Sequence, residues 1–266
     1  MTVFLIVVLC LAVLFLFCIF PSLRRHPDRK LLSGLYIAHR GLHDGKEAPE
    51  NSIEAFRRAA EFGFAIENDI HLTRDGEVVV FHDDTLNRVC GVDGKVEEMT
   101  LEELKNCRLL GTEYTIPTLK ECLDAVDGKV PLLIEFKCTG VHCCELCEAA
   151  DKILSEYKGK YFIQSFYPTV LRWYKHNRKE VLRGQLATVF KGETITRRLS
   201  GALLFSFLGR PDFVSYEHKY RKYLFFVLSK LLGALPVGWT FKSQDDLDKD
   251  EQDFKAYIFE GFWPEK

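Results

Sequence analysis

The sequence predicts an α/β protein, a (β/α)8 or TIM barrel preceded by one N-terminal transmembrane helix. Three observations predict this fold: an uncharged apolar run at residues 3–20, eight short apolar runs of strand type between residues 36 and 260, and helix-type patterns between most of them. Such alternation over about 230 residues is typical of a barrel of parallel strands. We expect a transmembrane anchor at 1–22, a basic linker at 23–35 and a barrel domain at 36–266. An open doubly wound sheet is the alternative, but no GxGxxG or P-loop accompanies it.

The first element is the run VFLIVVLCLAVLFLFCIF, residues 3–20, which is about as long as a bilayer span. No basic residue precedes the run and no small-residue cleavage site follows it, so an uncleaved anchor is favoured over a signal peptide and over a buried core helix. Arg24, Arg25, Arg29 and Lys30 follow the run. By the positive-inside rule, this basic cluster predicts a single-pass membrane protein whose main domain is cytoplasmic.

Composition limits the class of protein. The 266 residues are 47% hydrophobic and 28% charged, as in an ordinary globular protein, and the net charge of −2 gives no reason to expect nucleic acid as a partner. Of nine cysteines, two lie in the apolar run and seven remain, an odd number that fits reduced thiols in the cytoplasm. The segment HCCELC at 142–147 lacks the partner ligands that a zinc site needs, so we expect buried or surface thiols there.

The strands and helices after residue 35 can be placed from the apolar patterns. We predict parallel strands at 36–38, 65–70, 131–137, 161–166, 182–187, 213–217, 236–241 and 257–260. We predict helices at 51–63 (capped by Asn51), 118–126, 143–157, 168–177, 196–208, 221–234 and 243–254. The run at 78–82 follows the second strand after a turn too short for a parallel crossover. We therefore expect it to fold back over the barrel mouth as a movable arm.

Acidic residues fall on one face of two predicted strands. Glu67 and Asp69 are two residues apart and so point the same way, as do Glu135 and Lys137 on the next barrel strand. Carboxylates that meet at the strand ends of a barrel offer hard oxygen ligands, which suit Ca2+ or Mg2+. Any one of these acids alone would be an ordinary solvated or paired carboxylate. Together they predict a divalent-cation site.

Two histidines and two basic residues accompany the acids. His39 and His82 follow strand-type runs and can divide the roles of general base and general acid, because imidazole titrates near neutral pH. Arg40 can hold a phosphate through its planar fork, and Lys137 can add a point charge. The set indicates metal-assisted attack on a phosphate ester.

The motifs that carry this chemistry resemble the glycerophosphodiester phosphodiesterases, a branch of the phospholipase-C-like TIM-barrel phosphodiesterases. The matching segments are AHRG (38–41), APENS (48–52), IENDIHLTRDG (66–76), VVVFHDDTLNR (78–88), IPTLKECL (116–123), LLIEFK (132–137), QSF (164–166) and VGWTF (237–241). The similarity extends over nearly all of residues 36–264. Each motif alone is weak, but the ordered set is highly specific.

The resemblance implies a TIM barrel and a role for each site residue. Glu67, Asp69 and Glu135 would bind the divalent cation, and His39 and His82 would be the acid/base pair. Arg40 and Lys137 would contact the substrate phosphate, and Glu50 would line the pocket. The implied reaction splits a glycerophosphodiester into glycerol 3-phosphate and an alcohol. Glu260 stands where the family often has aspartate in a T-D-x-P turn, and we expect this change to affect only the pocket rim.

The substrate is left open between three hypotheses. The first is a soluble glycerophosphodiester and the second a membrane lysophospholipid, cleaved to lysophosphatidic acid. The third, a non-catalytic module that binds a phospholipid headgroup, is disfavoured because none of the acid, base or metal residues is missing. The segment 198–209, RLSGALLFSFLG, is apolar all round a helical wheel, so it is either buried in the barrel or in contact with lipid.

Overall fold

The eight predicted parallel strands form one closed barrel in the computed structural model, which describes residues 1–138 and 142–265. The strands in this part of the chain are β1 Tyr36–Ala38, β2 Ala65–Leu72, β3 Val78–Val80, β4 Leu132–Phe136, β5 Tyr161–Ser165, β6 Arg183–Ala187, β7 Phe213–Glu217, β8 Leu235–Phe241 and β9 Ala256–Phe259. The sheet runs in the order β1-β9-β8-β7-β6-β5-β4-β2, and the parallel pairing of β1 with β2 closes it. The prediction of a (β/α)8 barrel is thus confirmed.

Helices surround the strands and differ mainly in length from those predicted. They are α1 Thr2–Ile19, α2 Arg29–Leu32, α3 Ile53–Glu61, α4 Asn87–Cys90, α5 Leu101–Lys105, α6 Leu119–Val126, α7 Cys143–Leu154, α8 Pro168–Asn177, α9 Ile195–Gly201, α10 Ser206–Gly209, α11 Leu224–Leu231 and α12 Gln244–Asp250. The single helix predicted at 196–208 is wrong, because the chain breaks into α9 and α10 around Leu203, whose φ is +59°.

The start of α3 also differs from the prediction. Ser52, not Asn51, caps the helix by accepting a hydrogen bond from the Ala55 amide. Asn51 has a φ of +56°, and this left-handed conformation leaves its side chain available for another contact.

The N-terminal helix α1 is 18 residues long with a mean hydropathy of 3.3, and by length and composition it suits a membrane span or a signal sequence. Residues 1–14 are exposed, but the last turn packs on the barrel. Phe17 lies 5.7 Å from Phe207 between ring centroids, and Phe15 lies 5.9 Å from Phe225. The side chain of Arg210 donates to the Phe17 carbonyl at 2.8 Å. The end of α1 is therefore docked against α10 and α11.

Residues 23–35, predicted as a basic linker, are packed along the N-terminal end of the barrel. The Arg29 side chain donates to the backbone carbonyls of Asp212 and Gly233, and His26 hydrogen-bonds to the Glu180 carbonyl at 2.8 Å. Leu32 is fully buried in the apolar cluster that fills the barrel. Two of the four basic residues from which the membrane orientation was predicted, Arg24 and Arg29, thus also bind the barrel's backbone.

Residues 73–117, here called the excursion, leave the barrel after β2 and return at α6. Strand β3 pairs antiparallel with β2, as expected for a returning arm. The excursion has an apolar cluster of its own: Val79, Phe81, Leu86, Val89, Val96, Leu104, Cys107, Leu109 and Ile116. The Phe81 amide also donates to the Asp69 carbonyl at 3.0 Å. This packing argues against the expected movable arm, because Phe81, next to His82, is fixed to the barrel.

The prediction that all cysteines are reduced thiols is wrong for two of them. Cys138 and Cys143 form a disulfide, with their Cα atoms 5.2 Å apart. The remaining cysteines of the described part of the chain, such as buried Cys147, are free. The odd count gave no signal for this pair, because it depends on the C-terminal end of β4 and the start of α7 lying side by side.

Candidate active site

The three predicted metal-binding acids meet at the C-terminal end of the barrel. Glu67 and Asp69 point inward from β2, and the register of the parallel pair β2–β4 places Glu135 beside Asp69. One carboxylate oxygen from each of the three lies within 4.8 Å of the others, and all three side chains are buried. Alternate residues of a strand share a face, which brings Glu67 and Asp69 together, and the β2–β4 register adds Glu135.

The electrostatics of the three acids are unequal. Burial, together with the neighbouring charges of Asp69 and Glu135, holds the pKa of Glu67 well above its usual range. Burial likewise raises the pKa of Glu135 to about 7. Burial opposes ionisation of Asp69 as well, but Lys137, His82 and Arg40 together keep its pKa below the usual value. The buried negative charge thus exceeds what the protein's own cations neutralise, and these hard oxygen donors fit a divalent cation.

Lys137 and Arg40 flank the acids as predicted. The Lys137 ammonium lies 2.6 Å from Glu135 Oε1 and 3.1 Å from Asp69 Oδ1. The Arg40 backbone amide donates to Glu67 Oε2 at 3.1 Å. Although burial opposes its charge, the carboxylates raise the pKa of Lys137, so both basic side chains are cations at neutral pH.

Two amide side chains that were not predicted as site residues complete the acidic cluster. Asn51 Nδ2 donates to Asp69 Oδ2 at 2.9 Å, and Gln164 Nε2 donates to Glu67 Oε1 at 3.4 Å. Gln164 pairs in register with Glu135 across β4–β5. The sequence contained a signal for Gln164, because it is a polar residue near the end of an otherwise apolar strand. Asn51 was predicted to cap the helix instead.

His39 is positioned by a glutamate from the other end of the sequence. Its amide donates to the Phe259 carbonyl at 2.9 Å, which fixes it to β9. Its Nδ1 lies 2.7 Å from Glu260 Oε2. The expectation that Glu260 affects only the pocket rim is therefore wrong, because closure of β9 on β1 brings it to the predicted catalytic histidine. Enclosure in the site lowers the pKa of His39, and Glu260 acts against that effect.

His82 has a carboxylate partner of its own. Its Nδ1 lies 2.6 Å from Oδ1 of the adjacent Asp83. Arg88 holds Asp83 through Nε at 2.6 Å and also binds Glu50 through two contacts of 2.7 Å. Glu50 in turn accepts from Arg40 at 2.8 Å. Glu50, predicted to line the pocket, thus lies behind the wall and connects the two arginines.

A cavity of about 350 Å3 opens over these groups at the barrel mouth. Six of the eight predicted site residues line it: His39, Arg40, Glu67, His82, Glu135 and Lys137. Asp69 and Glu50 are not part of its lining but contact residues that are. Lys219 and Lys242 add positive charge at the rim. Trp239 also lines the cavity, and within the described residues its indole N–H has no hydrogen-bond partner. The arrangement offers donors and cations to a bound anion.

Residues 39–255 match the Glycerophosphoryl diester phosphodiesterase family. The chain belongs to this family. The resemblance seen in the motifs is thereby confirmed at the level of family membership. The match includes every predicted site residue, from His39 to Lys137.

Among curated relatives of this family member is the glycerophosphodiester phosphodiesterase of Caldanaerobacter subterraneus, 40% identical over 148 residues, which are 52% of this chain and 60% of the relative. Another is Lysophospholipase D GDPD1 of Rattus norvegicus, 30% identical over 160 residues, which are 55% of this chain and 49% of the relative. The chain thus matches about half to three fifths of the length of these relatives.

Solved structures of similar fold match a larger share of this chain than the curated relatives do. An Oleispira antarctica phosphodiesterase, solved with the product sn-glycerol-3-phosphate, has a TM-score of 0.72 at 23% identity and covers 86% of this chain and 94% of its own. The glycerophosphodiester phosphodiesterase of Thermotoga maritima has a TM-score of 0.66 at 26% identity and covers 85% of this chain and 94% of its own. These likenesses support the barrel fold.

Proposed function

We propose that this family member hydrolyses glycerophosphodiesters to glycerol 3-phosphate and an alcohol, with Ca2+ or Mg2+ as cofactor. The observation that carries the proposal is the convergence of Glu67, Asp69 and Glu135 within 4.8 Å, next to two histidines that each have a carboxylate partner. The Oleispira phosphodiesterase of the same fold was solved with this product. Family membership supports the same reaction class.

The residues divide the work of the reaction between charge and proton transfer. Glu67, Asp69 and Glu135 would hold the cation, which supplies Lewis-acid stabilisation of charge on a phosphoryl oxygen. Arg40 and Lys137 would bind non-bridging oxygens of the phosphate and stabilise the charge that develops during attack on phosphorus. The amides of Asn51 and Gln164 hold Asp69 and Glu67 in place.

His39 and His82 move the protons. The carboxylates of Glu260 and Asp83 accept from Nδ1, which leaves Nε2 of each imidazole to face the substrate. One imidazole takes a proton from the attacking water as its oxygen bonds to phosphorus, and the other gives a proton to the departing alkoxide as its bond to phosphorus breaks. If the 2-hydroxyl of the substrate attacks first, the same two groups serve a second step in which water opens the cyclic phosphate. The protons balance over one turnover, since one is removed and one is delivered.

Removal of the cation tests the proposal most directly. The purified full-length chain should release glycerol 3-phosphate from glycerophosphocholine, lose this activity in EDTA and regain it with Ca2+ or Mg2+. Glu135→Ala should abolish cation binding measured by calorimetry as well as turnover. Glu145→Ala, an exposed carboxylate on α7, is the matched control and should change neither. Turnover that survives EDTA would contradict the metal-dependent reaction.

We also propose that α1 anchors the protein in a membrane. Its exposed part, residues 2–14, is about 20 Å long, less than the roughly 30 Å hydrocarbon core. A spanning α1 therefore brings the side chains docked on its last turn, Phe207 and Phe225, to membrane depth. Leu224 and Leu231, which are 61% and 78% exposed on α11, lie on the same helix as Phe225 and extend this apolar surface. Resistance of the full-length protein to alkaline extraction from membranes tests the anchor.

The side of the membrane is proposed from the basic cluster that follows α1. Four basic residues at this position support a cytoplasmic barrel, by the positive-inside rule. The Cys138–Cys143 disulfide is the observation against this placement, because disulfides persist mainly in oxidising compartments. We give the basic cluster more weight because it acts directly on insertion. Two measurements test this placement: protease protection of the barrel in sealed vesicles, and the redox state of the cysteine pair in protein from intact cells. A protected barrel with an oxidised pair would contradict cytoplasmic placement.

A lysophospholipid is the second candidate substrate. Two observations favour it: the apolar helix α1, and curated relatives named Lysophospholipase D in Rattus norvegicus and Homo sapiens. The reaction at phosphorus is unchanged, and the products are lysophosphatidic acid and the headgroup alcohol. A comparison of glycerophosphocholine with lysophosphatidylcholine in the same assay distinguishes the two candidates.

A further inference from the structure

A second cavity, of about 740 Å3, opens beside the catalytic one. The two share the lining residues His82, Glu135, Lys137 and Phe166, so they adjoin at the reaction site. This second cavity, here called the side groove, runs from Lys137 between the start of α8 and helix α9. Its volume is within the usual range for a small-molecule site.

The side groove has a different lining from the catalytic cavity. Four aromatic residues form much of its wall: Phe166, Tyr167, Phe190 and Phe205. Thr196, Arg197 and Ser200 of α9 form the opposite side. The Arg197 guanidinium lies 4.7 Å from the centroid of the Phe190 ring, so its cation covers the aromatic surface at the edge. The groove thus has an aromatic wall and a polar α9 side that carries Arg197, and it is charged where it meets the reaction site.

The side groove and the surface on which α1 docks are formed by neighbouring residues of the chain. Phe205 lines the groove, and Phe207, two residues later, contacts Phe17 of α1. At its other side the groove reaches Lys137, which also lines the catalytic cavity. A ligand that is apolar at one end and carries a phosphodiester at the other fits this lining.

We propose that the side groove binds the acyl chain of a monoacyl glycerophosphodiester, a lysophospholipid, whose phosphate lies at Lys137. This assignment rests on the proposed function, since it assumes that the phosphodiester is cleaved in the adjoining cavity. The 350 Å3 catalytic cavity is lined largely by charged groups, and an acyl chain gains little by burial there. The aromatic wall of the groove provides the apolar contact that the chain requires.

A chain-length series tests the assignment. The full-length protein in lipid nanodiscs is assayed with glycerophosphocholine and with butanoyl, hexanoyl and octanoyl lysophosphatidylcholine. We expect kcat/KM to rise with chain length, by up to about fourfold for each methylene that becomes buried. Ser200→Trp fills the groove from α9 and should reduce the ratio of octanoyl to glycerophosphocholine kcat/KM by about tenfold or more. Glycerophosphocholine turnover should stay unchanged, because Ser200 does not line the catalytic cavity.

A matched variant controls for the new tryptophan. Ile195→Trp adds the same side chain to α9 outside the groove, where Ile195 is 66% exposed, and should leave the ratio unchanged. If Ser200→Trp does not fold, Phe205→Ala removes part of the aromatic wall and should also lower the ratio. Calorimetry without added cation should show tighter binding of octanoyl lysophosphatidylcholine than of glycerophosphocholine, and Ser200→Trp should remove the difference.

The outcomes separate this assignment from the reaction itself. Turnover of glycerophosphocholine with no chain-length effect would overturn the acyl site and leave the proposed function intact. N-acyl glycerophosphoethanolamines, which carry the acyl chain on the leaving alcohol, are assayed in parallel. A chain-length effect seen with these substrates alone would also overturn the proposed acyl site. Absence of turnover with every diester and cation would refute the proposed function, and equal binding in calorimetry would then refute the acyl site independently.

Discussion

The two histidines of the site are held by different parts of the molecule. His39 follows β1 and is hydrogen-bonded to β9, so the barrel frame fixes its backbone. Its carboxylate partner, Glu260, has a 26% exposed side chain and a second, more distant cation, Lys242, at 3.9 Å. A strong contact to His39 holds the pKa of Glu260 at about 2. One carboxylate therefore positions this imidazole.

His82 is held through a chain of ion pairs instead. Its partner Asp83 binds Arg88, Arg88 binds Glu50, and Glu50 binds Arg40. Burial opposes ionisation of Asp83, but Arg88 and His82 hold its pKa at about 2. These contacts join the excursion to the strand-end loop that carries Arg40 and Glu50.

The difference shows how a histidine outside the barrel strands can be kept in place. His39 needs one partner because its backbone belongs to the frame. His82 lies beyond β3, and its position depends on Phe81 packing below it and on the Arg88 chain beside it. Because that chain ends at Arg40, the orientation of one proton-transfer group and of one phosphate-binding group are coupled.

Loss of either imidazole should have the largest effect. His39→Gln and His82→Gln should each lower kcat by about 10²–10⁴-fold, the usual contribution of a general acid or base. Steady-state kinetics with glycerophosphocholine measures the loss, and calorimetry should show cation affinity close to that of the unchanged protein. Wild-type turnover in either variant would refute the role of that histidine.

Removal of Arg88 should have the next largest effect. It should break the chain of ion pairs that couples His82 to Arg40. Arg88→Ala leaves Asp83 and Glu50 without their shared cation, so both His82 and Arg40 lose orientation. We expect kcat/KM to fall by about 10–100-fold, the usual effect of removing a partner of a site residue, through both a lower kcat and a higher KM. Steady-state kinetics over a range of glycerophosphocholine concentrations measures the two parameters.

Arg74→Ala is the matched control for Arg88→Ala. Arg74 lies on the same excursion and pairs with Glu103, but its side chain is 57% exposed and it has no contact with Asp83 or Glu50. Its removal should leave kcat/KM within about twofold, because exposed ion pairs contribute little. Equal effects of the two substitutions would show that Arg88 stabilises the excursion in general rather than the orientation of His82 and Arg40.

The sequence was sufficient to predict the barrel and the acids, because both depend on local periodicity. Strands buried on both faces are continuous apolar runs, so β4, β5 and β7 stood out. Glu67 and Asp69 share a face in any strand, and Glu135 follows from the same pattern on β4. These positions required no knowledge of how distant segments meet.

The partners of these residues could not be predicted in the same way. Glu260 is 221 residues from His39, and only closure of the barrel brings them together. Asn51 and Ser52 are both residue types that cap helices, and local pattern does not show which of them caps and which turns toward Asp69. The Cys138–Cys143 bond likewise could not be predicted from the cysteine count, because an odd number of cysteines does not show which of them pair.

Neutralising the two carboxylate partners should have the smallest effect and gives the sharpest comparison. Enclosure lowers the pKa of both His39 and His82, and Glu260 and Asp83 oppose this by stabilising the protonated imidazoles. Glu260→Gln should therefore lower the pKa of His39 further, and Asp83→Asn should lower that of His82. The readout is the pH dependence of kcat/KM.

The limb that moves identifies the role of each histidine. A general base must be neutral, so a lower pKa extends activity to lower pH and shifts the acid limb. A general acid must be protonated, so a lower pKa shifts the alkaline limb to lower pH. We expect Glu260→Gln to move one limb and Asp83→Asn the other. If both substitutions moved the same limb, the two histidines would not divide the roles of base and acid. The different contacts that hold them would then not correspond to different roles in the reaction.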